Sequence, residues 1–100
     1  MNFEITKTSI RVTLEDILKK CNPELRSALE HIIEDIENLN TFSSATFAVG
    51  LEMLIKNLEW LLNSYADKLP ESVKQALRIA LAQARAALRE LEKEEEEREF

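Results

Sequence analysis

The sequence predicts an all-α fold: an antiparallel bundle of three long helices, completed by a short N-terminal helix and an extended N-terminal arm. Three observations carry that reading. Apolar residues recur at three- and four-residue spacing from residue 14 to residue 91. One Gly and two Pro in 100 residues leave too few turn formers for a loop-rich sandwich, a barrel or a phosphate-cradling fold. The length and the 45% hydrophobic content suit a single domain with one core, residues 1–100.

Residues 1–12 read as the extended arm. Ile5, Thr6, Thr8, Ile10 and Val12 are branched at Cβ, which favours a pleated backbone. Phe3 and Ile5 share one parity and Ile10 and Val12 the other, so a bend or small hairpin is expected near Lys7-Thr8-Ser9. Residues 13–91 form the helical body. Thr13 has the place of an N-cap, with Asp16 three positions on, and Leu14, Ile17, Leu18 and Cys21 line a helix of about two turns. Asn22-Pro23 ends that helix and begins the next, because Asn caps well and Pro is tolerated at the first helical position; a kinked continuous helix is the alternative.

The second helix covers about Pro23 to Leu39 on one apolar face: Leu25, Ala28, Leu29, Ile32, Ile33, Ile36 and Leu39. Phe42 and Phe47 flank Ser43 at the spacing of a hydrophobic staple around a Ser N-cap. The third helix, about Ser44 to Lys68, has a wide core face running from Phe47 through Leu51, Leu54, Leu58 and Leu61 to Tyr65 and Leu69. On its other side Val49, Met53 and Trp60 align at i, i+4 and i+11. The fourth helix opens at Pro70, and Val73, Leu77, Ala80, Leu81, Ala84, Leu88 and Leu91 form its seam. Alanine at 76, 80 and 84 invites close approach of a facing helix.

Charge is unevenly placed. Of a net charge of −6, residues 90–99 carry seven Glu against Lys93 and Arg98, so the body is nearly neutral and residues 92–100 form an acidic tail. Such a tail keeps a protein in solution or engages a basic partner. No signal-peptide pattern opens the chain and no apolar run is long enough to span a membrane, so a soluble protein, cytoplasmic or recombinant, is expected.

Few residues invite chemistry. A single Cys excludes an intrachain disulfide and multi-thiolate metal sites, and a single His excludes His-pair motifs within the chain. Cys21 and His31 would need to meet to act as nucleophile and base, but Cys21 continues an apolar face and His31 projects away from one. Glu30, Glu34 and Glu37 flank the seam of the second helix instead of pointing inward, as a carboxylate metal site requires. Lys74, Arg78, Arg85 and Arg89 form a basic stripe that suits pairing with that acidic stripe, if the two helices are neighbours, better than it suits nucleic acid. The strand-then-helices order resembles ribbon-helix-helix repressors, yet the link at Cys21-Asn22-Pro23 is too short for that unit. Leu58, Leu61 and Leu62 match an LxxLL pattern on what is expected to be a core face. No enzyme activity, cofactor, metal, nucleic acid, membrane or small-molecule substrate is therefore expected.

Val49, Met53 and Trp60 are the candidate protein-binding residues, since Met and aromatic side chains concentrate at interface centres. Cover by the N-terminal segments is the simpler expectation for them; a protein partner or a second copy of the chain is the other.

PESVKQALRIALAQARAALRELEKEEEERE and NPELRSALEHIIEDIENL resemble the idealised helices of computationally designed bundles, with Pro at the helix start, Ala, Leu, Glu, Arg and Lys throughout and no Gly. The likeness spans about half the chain and is one of style. It implies a helical scaffold or protein-interaction module; a small acidic natural regulator of antitoxin or antagonist type is the alternative. Cys21, His31, Met53 and Gly50 inside a helix depart from the idealised style and point to a retained segment or to close packing at Gly50.

Overall fold

The computed structural model describes residues 1–98 as four helices: α1 (Phe3–Lys20), α2 (Pro23–Glu37), α3 (Ser44–Ser64) and α4 (Glu71–Arg98). No strand occurs among the described residues. Each helix packs on its sequence neighbour, and α4 closes the ring on α1, so α1 lies diagonal to α3 and α2 to α4. Contacts between elements show the alternating directions. Along α1 and α4, Met1 N meets Glu94 at 3.1 Å and Thr13 Oγ1 meets Gln83 Oε1 at 3.0 Å. Between α1 and the end of α2, Thr41 Oγ1 donates to Glu4 at 2.9 Å.

The all-α bundle agrees with the sequence, but the N-terminus does not. No extended arm and no short helix starting at Thr13 exist; residues 3–20 are one 18-residue helix. Parity along a strand separates Phe3 from Ile10, whereas a helical turn of 100° per residue brings Phe3, Ile10, Leu14 and Ile17 to one face. Ile10, Leu14 and Ile17 are buried there and Phe3 half-buried, while Ile5 and Val12 point outward. The helix penalty of a β-branched residue, up to about 0.7 kcal/mol, is small beside the roughly 1.5–3 kcal/mol from burying an Ile or Leu. Asn2 caps the helix by accepting from Ile5 N at 3.1 Å. Thr13 is no cap: its hydroxyl lies 3.1 Å from Ser9 O, the back-bond that lets a Thr sit inside a helix.

Asn22 takes the N-cap position of α2 with extended backbone and Pro23 behind it, but its side chain makes no capping bond. Ser43 does cap α3, accepting from Thr46 N at 3.2 Å. The expected staple is absent, because Phe42 is 95% exposed. Phe47 is fully buried and stacks on Phe3 of α1, with centroids 4.7 Å apart and planes at 22°. α3 ends at Ser64, not Lys68, and Tyr65 is its C-cap.

Gly50 has a packing reason. A Cβ built there would run into Leu39 Cδ2, so its hydrogen lets the chain leaving α2 lie against α3. Ala80 and Ala84 of α4 are fully buried in the core, where small side chains admit neighbouring helices closely. Leu91 is the last buried residue of α4 among the described side chains. Past it the acidic tail continues as helix through residue 98; Glu99 and Phe100 lie outside the described residues.

Ring order also corrects the charge pairing. α2 and α4 are not neighbours, so the acidic and basic stripes do not meet. Glu30, Glu34 and Glu37 border a shallow cleft shared with Glu15 and Lys19 of α1. Arg85 reaches Glu59 of α3 at 3.6 Å and Arg78 reaches Glu71 of its own helix at 3.5 Å, both exposed pairs of small energetic weight.

Candidate protein-interaction groove

Because α1 packs between α2 and α4, diagonal to α3, it cannot cover the outer side of α3. Val49, Met53 and Trp60 consequently stay 56%, 61% and 56% exposed, which overturns the expectation of cover by the N-terminal segments. The remaining large apolar side chains of α3 are buried or half-buried. The same helix thus holds a dry face toward the core and a wet apolar ridge toward solvent. At 100° per residue the ridge is set about 150° from the core face, on the side nearest α2.

α2 supplies the opposite wall. Two hollows lie end to end between the helices and share Asp35 and Asn57. The first, about 300 Å³, is mainly apolar, with Ile36, Leu39, Val49, Gly50, Met53 and Leu54 among its lining. Gly50 contributes by lacking a side chain, so that Leu39 lies against the α3 backbone and forms the floor there. The second, about 390 Å³, has Glu24, Ala28, His31 and Asp35 on the α2 side and Trp60 and Tyr65 on the α3 side. Trp60 and Tyr65 meet edge to face, with centroids 5.9 Å apart and planes at 79°. At its rim Lys68 Nζ stands 3.6 Å from Glu24 Oε2, both side chains more than 60% exposed.

Glu24, His31, Asp35 and Tyr65 belong to this groove, although the sequence does not mark them as binding residues. Ala28, His31 and Asp35 follow one another at i, i+3 and i+7 along the edge of the apolar face of α2, a signal that becomes readable only once α3 is known to lie on that edge. Cys21 and His31 are not brought together. Cys21 is buried at the end of α1 with its thiol 3.4 Å from Leu18 O, while His31 is exposed in the groove. Leu58 and Leu61 of the LxxLL stretch are buried and Leu62 is half-buried, so that face is already occupied by the core. Among the described residues no group of three or more His, Cys, Asp and Glu is placed to hold a metal ion, and no helix is long and apolar enough to cross a membrane.

Three smaller apolar features lie elsewhere: Ile5 and Val12 on the outer face of α1, Phe42 between α2 and α3, and Ile79 on α4. The α1 surface at Ile5 and Val12 is open and shallow, shared with Thr8 and Ser9, and carries no aromatic side chain. The chain matches no protein-family model, and neither curated proteins nor solved structures give a match.

Proposed function

We propose that this protein is a non-enzymatic helical scaffold, of designed or partly redesigned origin, whose α2/α3 groove is a protein-interaction surface anchored by Val49, Met53 and Trp60. The observation that carries this reading is the exposure of three large apolar side chains, each more than half open, in one line beside a groove. Buried together, they would release several kcal/mol at about 25 cal/mol per Å² of apolar surface. Met and Trp are well suited to such a surface, since a thioether adapts to an irregular partner and an indole supplies a large rigid contact. The idealised composition of α2 and α4 supports the designed origin.

Charging the ridge tests the reading. Met53→Lys with Trp60→Glu is expected to lower association by more than about thirtyfold, the effect of losing a hot spot. The variant should still unfold cooperatively at an unchanged midpoint, because both side chains face solvent in the isolated chain. Sedimentation at several concentrations, with circular dichroism followed through a urea titration in parallel, reads both quantities; loss of cooperative unfolding would place the ridge in the core.

A second reading rests on a different observation. α4 runs past its contact with Met1 at Glu94 into exposed Glu95, Glu96 and Glu97, an acidic stretch of helix suited to a basic partner. On that reading the protein is a small acidic regulator of antitoxin or antagonist type. Truncation after Glu94 separates the two: a groove-driven module keeps its affinity, whereas a tail-driven regulator loses it, and thermal stability stays unchanged in either case.

A further inference from the structure

We infer that the occupant of the α2/α3 groove is a partner helix bearing a large apolar side chain and, two turns away, an Arg or Lys seated in the Trp60–Tyr65 hollow. The inference rests on the interaction reading above and names the chemistry of the partner.

The two hollows ask for different side chains. The one beside Leu39, Val49 and Met53 is apolar and suits a Leu, Met or Phe. The one beside Trp60 offers a perpendicular pair of aromatic rings on one wall and the carboxyl groups of Glu24 and Asp35 on the other. Aromatic faces and carboxylates both attract a cation, and together they repel an anion. The protein's own Lys68 already brings an ammonium to Glu24 at this rim. That pair is exposed on both sides and therefore weak, so an incoming guanidinium or ammonium exchanges with it readily. His31 lies between Glu24 and Asp35 on α2 and lines the same hollow.

Spacing makes the two demands one ligand. The apolar hollow is centred near Met53 and the cation hollow near Trp60, seven residues further along α3 and roughly 11 Å apart at 1.5 Å per residue. Side chains at i and i+7 of a second helix lying along the groove stand on one face at the same separation. Lys56, between Met53 and Trp60 in sequence and exposed, favours a carboxylate on the flank of the partner away from α2. A second copy of the chain fits less well: pairing the ridge with itself antiparallel would bring the two α2 helices, with Asp35 near the middle of each groove, toward one another.

The test uses synthetic dye-labelled Ala-based helical peptides carrying Leu at one position and Arg seven positions later, in both sequence orders, with fluorescence anisotropy of the peptide as readout at about 0.15 M salt. The better of the two orders is expected to bind, and replacing its Arg with norleucine to weaken binding at least tenfold. Glu24→Gln with Asp35→Asn should weaken the Arg peptide by a similar factor and leave the norleucine peptide unchanged. Lys68→Ala should tighten the Arg peptide severalfold by removing the resident cation. Glu95→Gln with Glu96→Gln, remote from the groove, should change nothing, which separates a local site from the general attraction of an acidic protein. Equal binding of the Arg and norleucine peptides would overturn the cation site and leave the interaction reading standing. No binding by either peptide order, or self-association abolished by Trp60→Glu, would overturn the named occupant. Binding indifferent to Met53→Lys with Trp60→Glu would overturn the groove reading itself.

Discussion

Phe47→Ala is expected to destabilise the protein by about 3–5 kcal/mol, a large part of the roughly 5–15 kcal/mol that holds a domain of this size. Phe47 is 0% exposed in the second turn of α3 and stacks on Phe3 near the start of α1. Truncation removes the transfer energy of a ring and leaves a cavity between diagonal helices that small shifts cannot close. A loss of about 4 kcal/mol lowers the melting temperature of a 100-residue domain by roughly 15–30 °C. Phe3→Ala, at a half-buried position, should cost less, and the two substitutions together less than their sum. The coupling, about 0.5–1.5 kcal/mol for an aromatic pair, measures the stack directly in urea titrations of the four proteins. A loss below about 1 kcal/mol for Phe47→Ala would show that this ring is not at the centre of the core.

The core of α2, α3 and α4 was legible because each helix keeps one apolar face at a single period. Leu25, Leu29 and Ile36, Phe47, Leu51 and Leu58, and Val73, Leu77 and Ala84 are all buried as their spacing requires. Helix order around the ring was not legible. Periodicity says which face is buried and not against which neighbour, and that gap produced the expected pairing of the α2 and α4 charge stripes. The Ser43 cap was readable and the staple was not, because Phe47 had a better partner 44 residues away in Phe3. Gly50 looked like a flaw in a helix until Leu39 was seen against it.

The candidate site was half legible for the same reason. Val49, Met53 and Trp60 stand out as a second stripe on one helix, which a sequence displays directly. The wall that turns a stripe into a groove comes from Glu24, His31 and Asp35, ordinary polar residues of a helix surface whose role follows from the neighbour. Whether α1 would cover the ridge depended on where α1 packs, and its diagonal position decides it.

Residues 3–12 were misread because local and tertiary preferences disagree there, and Ser9→Pro exposes that disagreement. Ser9 is exposed in the middle of α1, so its side chain contributes little to packing. Proline at this position removes the Ser9 N–H from the helical ladder, sets its ring against the carbonyl of Ile5 and pushes Thr8 toward extended backbone. A cost of about 3 kcal/mol or more is expected, with loss of helical circular dichroism from the first turns. The apolar stripe of α1 amplifies the effect, since Phe3 cannot reach Phe47 once the helix is broken before Ile10. Ser9→Ala, which keeps the N–H and favours helix, should instead raise stability by about 0.5 kcal/mol. An extended arm with a bend near Ser9 gives the opposite pattern: proline suits a turn, and alanine gains nothing. Urea unfolding of the two variants therefore measures how far burial of Ile10, Leu14 and Ile17 overrides the β-leaning composition around them; near-equal midpoints for Pro and Ala would return these residues to the extended state.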